Sequence, residues 1–436
     1  MTDFQGCPGI EFATDAERRA EQERRLRQQL AYCLDRSPYY RRLLGATGID
    51  PAGATLETLA TLPTTDKNAY SRHNDELLAV ARREVVDIVL SSGTTGTPVR
   101  VMYSERDLRR LAYNEQLSFS SCGLTAEDTV LLTCTMDRCF VAGLAYFLGI
   151  RAIGAAAIRN GHGSLSSHLG IIASLRPTAL VGVPSFLRKL GRFLREQGID
   201  PAAAGVRKLV CIGEPVRDRD LRPTPLGQDL KRIWAADVHS TYASSEVVST
   251  FCECTACRGG HLHPDLAILE ILDDAGRLVP DGEVGEVVLT PLGIEAMPLL
   301  RFRTGDLSFL ISEPCACGRR SPRLGPILAR KQQMMKIRGT TLYPSAVLTA
   351  LDAMDDIGES YVSVASNDAL SDELTVHVSV RGNLTAEEIG ARLQARLRLR
   401  PIVVIATDEE IRQHIYLPES RKPVRFVDRR PRLELP

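Results

Sequence analysis

Hydrophobic positions along the chain switch between helical and strand-like periods, and the switches mark out its segments. Glu17–Leu34 carries leucines at helical spacing among many charges, with Thr14 placed to cap its start and Ser37-Pro38 to end it. A helix so rich in charge presents a solvated face, and no chemistry is assigned to it. Leu62–Lys67, LPTTDK, reads as a turn with an N-cap signal into the next helix. Val85–Leu90, VVDIVL, is apolar and β-branched and predicts a buried strand. Beyond it come Thr129–Thr135, Ala142–Ile158, Pro177–Leu194 and Val206–Pro215. Apolar strands of about five residues followed by helical patterns predict parallel βαβ units. From Leu262 to Leu310 the short runs LAILEIL, GEVVLT and DLSFLI, broken by Asp-Asp and Asp-Gly turns, predict a mostly antiparallel β segment. After Arg330 a helix (Pro344–Leu351), strands YVSVAS and ELTVHVSV, a helix (Thr385–Leu397) and strand PIVVIAT predict a small α+β domain. The expected fold class is α/β. Residues 1–329 form a large N-terminal domain with mixed and parallel sheets plus a β segment, and residues 330–436 a small C-terminal domain.

Composition narrows the function classes. The formal net charge is zero, which gives no electrostatic case for nucleic acid or an anionic membrane as partner. The first residues, MTDFQGCPGIEF, have neither a basic region nor an apolar core of the secretory kind. The longest apolar stretch, Phe140–Ile158, is broken by Arg151 and glycines and is too weak for a membrane span. A cytoplasmic protein is expected. Of eleven cysteines, five cluster as Cys252, Cys254 and Cys257, then Cys315 and Cys317; the scattered six read as buried reduced thiols. With only seven lysines in the chain, any lysine in a suggestive place gains weight.

The stretch that follows VVDIVL is SSGTTGTP, comprising Ser91, Ser92, Gly93, Thr94, Thr95, Gly96 and Thr97 before Pro98. Glycines allow close backbone approach, so that successive N–H groups and short hydroxyls can converge on one anion. No Lys-Ser or Lys-Thr follows the second glycine, so this polyphosphate cradle is not a Walker loop. Downstream stand Gly213-Glu214-Pro215, TYASSE (Thr241 to Glu246), RFRTGDL (Arg301 to Leu307), ARKQQMMKIRG (Ala329 to Gly339) and RKPVRFVD (Arg421 to Asp428).

In that order these stretches resemble the adenylate-forming ligase superfamily of acyl-CoA synthetases, peptide-synthetase adenylation domains and luciferase. LPTTDK, EAMPLLRFRTGD and the C-x-C-G-R at Cys315–Arg319 are similar to its phenylacetate–CoA ligase branch. The resemblance runs from about Pro38 to the C-terminus. It implies ATP-dependent activation of a carboxylic acid as acyl-AMP, with Mg²⁺, followed by transfer to coenzyme A. An amine or a carrier-protein thiol is the alternative acceptor, and a non-catalytic nucleotide-binding relative is the reading from another class. Carried over, the resemblance places the β and γ phosphates on Ser91–Thr97 and adenine between Tyr242 and the Gly213–Pro215 wall. It gives the α-phosphate to Ser245, Mg²⁺ to Glu246 and the ribose hydroxyls to Asp306. Arg330 contacts the ribose or phosphates, and Lys422, on a mobile small domain, bridges the substrate carboxylate and the α-phosphate. Two departures stand out: Ala243 replaces a usual glycine, and Gln333 sits where the hinge usually carries an acid or a lysine.

C-x-x-C with a distant C-x-C-G has the spacing of a closed tetrahedral zinc site. The branch's pattern implies Cys254, His261, Cys315 and Cys317 as ligands of a structural Zn²⁺, with Cys257 as substitute for the histidine. His263 and His239 are read as satisfied polar side chains. The acid pocket implied by the resemblance takes Arg138, Phe140, Ala142, Gly143, Val183, Pro184 and His239 to Thr241. Its small residues leave room for an aryl or arylacetic acid.

Overall fold

A computed structural model of the chain describes residues 4–91, 99–161, 163–337, 340–366, 372–417 and 423–430. The chain divides into two compact units, one of residues 1–223 and 227–327, the other of residues 224–226 and 328–436.

The first unit opens with helix α1 (Asp15–Arg36), started by a capping box in which Thr14 and Glu17 satisfy each other's backbone N–H groups. Its face is not simply solvated. Arg18, Arg25 and Gln29 are buried along with Leu26 and Leu30, and Gln29 donates to the Ile294 carbonyl at 3.0 Å. Strands β1 (Val85–Leu90) and β2 (Arg100–Ser104) pair antiparallel as a two-stranded ribbon that runs into α2 (Glu105–Ser121). The expectation of a buried strand at VVDIVL is corrected here. With one partner strand, β1 buries Val89 but leaves Val86 53% and Ile88 38% exposed.

The expected βαβ units follow. They are β3 (Thr129–Leu132), α3 (Val141–Ile153), β4 (Ala156–Arg159), α4 (Leu165–Leu175), β5 (Ala179–Gly182), α5 (Pro184–Glu196) and β6 (Lys208–Ile212), then β7 (Asp237–Ser244) and β8 (Ser249–Cys252). They form one sheet in the order β4-β3-β5-β6-β7-β8, parallel except for the β7–β8 hairpin. Both faces are covered. Val130, Leu132, Val181 and Val210 lie in one hydrophobic cluster, and Leu131, Leu180, Leu209 and Val238 in another. That explains why these strands read as continuous apolar runs.

The antiparallel segment comprises β9 (Gly260–His261), β10 (Ala267–Leu272), β11 (Gly285–Pro291), β12 (Phe302–Ser308), β13 (Leu310–Ile311) and β14 (Arg323–Leu324). Strand β11 pairs with β10 and β12, while β14 pairs with β13 and β9. DLSFLI is therefore two strands. Ser308 donates to the carbonyls of Gly325 and Pro326, and the chain changes partner there.

In the second unit, α6 (Pro344–Asp352), β15 (Ile357–Ser366), β16 (Asp372–Val380), α7 (Ala386–Leu397), β17 (Ile402–Ile405), α8 (Asp408–Ile415) and β18 (Phe426–Asp428) build an α+β fold. Its sheet runs β17-β16-β15-β18, packed over Val347, Leu351, Val362, Val376, Ile389 and Leu393.

Candidate active site

Strands β3, β5, β6 and β7 deliver their C-terminal ends to one edge of the parallel sheet. The chain leaves β3 toward β4 and returns past it to β5, so connections diverge between β3 and β5. In open α/β sheets, ligands bind in the crevice outside such a switch point. The segments following these strands are 133–140, Val183-Pro184, Gly213–Pro215 and the end of β7 with its turn. The sheet therefore gathers at one edge two of the predicted stretches, Gly213–Pro215 and TYASSE, together with the predicted acid-pocket segments around Phe140 and Pro184.

A third stretch, RFRTGDL, joins them through a hydrogen bond. The Tyr242 hydroxyl on β7 donates to Asp306 Oδ2 on β12 at 2.8 Å, across 64 residues of chain. Burial, then the Asp306 carboxylate beside it, raises the phenol well above its usual pKa, so it remains a donor. Asp306 lies inside a strand and is buried; its own N–H donates to Thr304 Oγ1 at 3.1 Å. Glu246 sits half-buried in the β7–β8 turn and accepts from Ser244 Oγ at 2.6 Å. Glu214 is a brace: its carboxylate accepts both the N–H and the hydroxyl of Ser185, each at 2.9 Å, at the start of α5. Gly213, at φ 77°, and Pro215 are exposed beside it.

The loop of the first motif springs from the β1–β2 ribbon. The N–H of Ser91 donates to the Val99 carbonyl at 2.9 Å, and the N–H of Val99 to Ser91 Oγ at 3.0 Å, closing its base. Ser92, Gly93, Thr94, Thr95, Gly96 and Thr97 lie outside the described residues, as does Lys422. Arg330 is half-buried and precedes a 3-10 turn over Lys331–Gln333.

Around the switch point, Gly143 lets α3 approach the segment after β3, since a Cβ there would stand 2.1 Å from the Thr135 carbonyl oxygen. Arg138 and Cys139 are exposed, both left-handed at φ 58° and 51°. Phe140 follows, half-buried, as the N-cap residue of α3, and Pro184 opens α5. Thr241 and His239 share one face of β7, and Thr241 Oγ1 donates to Cys252 Sγ at 3.2 Å. Burial lowers the His239 pKa to about 4, so the ring is neutral. Its Nδ1 stands 3.6 Å from Cys257 Sγ, while its Nε2 is buried with no partner among the described residues. The reading of His239 as a satisfied polar side chain therefore fails at one nitrogen. For His263 the reading suits the geometry: Nδ1 meets Glu11 at 2.7 Å and Nε2 meets Ser118 at 3.1 Å.

The cysteine cluster sorts itself by geometry. Ligand atoms of Cys254, His261, Cys315 and Cys317 all lie within 4.8 Å of one another. Cys254 Sγ is 3.5 Å from Cys315 Sγ, and Cys317 Sγ is 3.4 Å from His261 Nε2. Tetrahedral zinc with bonds of about 2.0–2.3 Å requires ligand separations of about 3.5–3.8 Å, which these two pairs match closely. Ser321 Oγ stands 3.2 Å from His261 Nδ1, which leaves Nε2 to face the thiols. Burial lowers the His261 pKa to about 3, keeping the neutral, ligating form. Burial would raise the Cys317 thiol, but the Arg319 N–H and guanidinium outweigh it and lower its pKa. Cys257, the proposed substitute, turns away at φ 52° toward His239.

Sequence reasoning missed Ser185 and Ser321, whose side chains brace Glu214 and His261; a serine near a motif gives no pattern to read. It also missed the buried Arg301–Glu270 pair, bidentate at 3.0 and 2.9 Å, which fixes β10 to the start of the RFRTGD stretch.

Comparison with known proteins gives consistent matches. A family model described as AMP-binding enzyme matches residues 17–294, and one described as AMP-binding enzyme C-terminal domain matches residues 339–430. The phenylacetate-coenzyme A ligase of Thermus thermophilus is 34% identical over 86% of this chain and 84% of its own. That of Escherichia coli is 27% identical over 97% of each chain. The crystal structure of 2-hydroxyisobutyryl-CoA ligase in the postadenylation state shares the fold at a TM-score of 0.85, with 22% identity, over 97% of this chain and 91% of that one.

Proposed function

Since the chain belongs to the AMP-binding enzyme family, we propose that it joins a carboxylic acid to coenzyme A through an acyl-adenylate. In the first step a carboxylate oxygen of the acid attacks the α-phosphorus of ATP, the bond to the bridging oxygen breaks, and pyrophosphate leaves. In the second, the thiol of coenzyme A attacks the acyl carbon, AMP leaves with the electron pair, and the thiol proton passes to solvent. The observation that carries this reading is the Tyr242–Asp306 hydrogen bond, which joins the two nucleotide motifs at the end of the parallel sheet.

Asp306 is the ribose acceptor, because a carboxylate accepts two hydroxyls well and Tyr242 orients it. Ser245 and Glu246, on one half-buried turn, face the phosphates, and the Glu246 carboxylate is an oxygen ligand of the kind Mg²⁺ takes. Mg²⁺, when bound, neutralises phosphate charge. Lys422 supports the charge that develops as the carboxylate meets the α-phosphate. Phe140 beside Gly143 favours a flat aryl or arylacetic acid, in keeping with the phenylacetate ligases among the relatives. Cys254, His261, Cys315 and Cys317 hold a structural Zn²⁺ with no open position.

The test is pyrophosphate release across a panel of aryl acids, with and without coenzyme A, with products identified by mass spectrometry. Thioester formation that requires coenzyme A is expected. Acyl-AMP that accumulates whether or not coenzyme A is present would assign the second step to another acceptor.

A further inference from the structure

We propose that Arg110 and Tyr103 are positioning residues that hold the β7–β8 turn, and with it Ser245 and Glu246, in its working shape. The inference rests on the reading that this turn serves adenylation.

The turn needs a clamp. β7 and β8 are closed by the Ser244–Ser249 pair, and the four residues between them end on Val248 at φ 49°. A β-branched residue resists the left-handed region, which glycine or asparagine enters far more easily. Left to itself this turn would relax, and Glu246, two residues before Val248, would move with it.

Two side chains oppose that, one at each end. Tyr103, on β2, donates its hydroxyl to the Ser245 carbonyl at 2.9 Å. Arg110, on α2, donates through Nη1 to the Val248 carbonyl. The rest of its guanidinium bonds Leu292 O at 2.6 Å, Leu266 O at 2.5 Å and Ser249 Oγ at 3.3 Å. Arg110 is fully buried, and each of these acceptors is neutral. A planar fork held by three backbone carbonyls and one hydroxyl fixes positions in a way an ion pair at the surface does not. Both clamps stand on the segment that leaves the Ser91–Val99 loop, and Asp107, between them, is itself bonded to the N–H groups of Ser104, Glu295 and Ala296. The phosphate-loop ribbon and the metal-side turn thus share one support.

The test separates positioning from simple stability. Tyr103→Phe removes one hydroxyl, and Arg110→Lys keeps the charge but loses the fork. Each is expected to raise the Mg²⁺ concentration for half-maximal pyrophosphate release about fivefold, the loss of roughly one hydrogen bond. Each is also expected to speed amide exchange in peptides covering residues 242–252. Val248→Gly added to Arg110→Lys should restore much of the Mg²⁺ response, because glycine holds φ > 0 without a clamp. Lower melting temperature with wild-type Mg²⁺ dependence and wild-type exchange at the turn would overturn the proposal. If Arg110→Lys does not fold, Tyr103→Phe decides alone. A wild-type protein that releases no pyrophosphate with any acid would refute the activity, while exchange, which needs no substrate, still reads the clamp.

Discussion

Removing the zinc we propose for the Cys254, His261, Cys315 and Cys317 cluster is the perturbation whose size the structure sets most directly. Cys254 and Cys315 are 61 residues apart in sequence and 3.5 Å apart in space. An ion bound to both closes that loop in the unfolded chain, and loop-closure entropy alone makes such a link worth about 4 kcal/mol. For a unit of this size the corresponding fall in melting temperature is roughly 6 °C. The assay is thermal unfolding of protein as purified and after exhaustive chelation, with zinc counted by elemental analysis in both. Cys254→Ser should reproduce the chelated value. Cys257→Ser should keep both its zinc and its melting temperature, because Cys257 faces His239 instead of the cluster. Purified protein without zinc, a stripped protein that melts unchanged, or metal loss from Cys257→Ser equal to that from Cys254→Ser would refute the reasoning.

Three further outcomes follow from other parts of the molecule. Glu115 is fully buried, and burial pushes its carboxyl from 4.5 up to about 7, against the Thr250 hydroxyl that bonds it. Its folded pKa is raised, so stability is fullest below about pH 4.5 and declines as pH rises toward 7, by about 3 kcal/mol in all. Glu115→Gln should therefore raise the melting temperature at pH 8 and change it little at pH 5; equal effects at both would refute the assignment. Tyr242→Phe removes one hydrogen-bond donor to Asp306 and should raise KM for ATP roughly tenfold, an effect absent if Asp306 does not meet the nucleotide. Lys422→Ala should slow acyl-AMP formation by about 10²–10³, and an unchanged rate would remove Lys422 from the mechanism.

What the sequence disclosed depended on how local the signal was. The Thr14–Glu17 capping box and the strand-helix alternation after Thr129 are local patterns, and both were legible. VVDIVL was misread because residue type reports β preference but not the number of neighbours a strand will have. RFRTGDL looks like a turn at Thr-Gly, yet pairing with β11 carries it as a strand with Gly305 at φ 78°. The polar residues of α1 and α2 were the least readable. Gln29 and Arg110 sit among other charges in sequence, and distant carbonyls such as Ile294 O and Leu292 O make their burial tolerable. Cys254 and Cys257 differ by one turn, and spacing alone cannot tell which points inward.

The same cysteine cluster sets a schedule for synthesis. Cys254 and His261 leave the ribosome together, but Cys315 and Cys317 follow some 61 residues later. At about 5–20 residues per second that interval is roughly 3–12 s, during which half of a ligand set is exposed without its other half. The site closes only when nearly all of the first unit has been made. If the cluster takes up the proposed zinc, metal capture is then a late checkpoint of biogenesis, and oxidants that reach the nascent thiols compete with it.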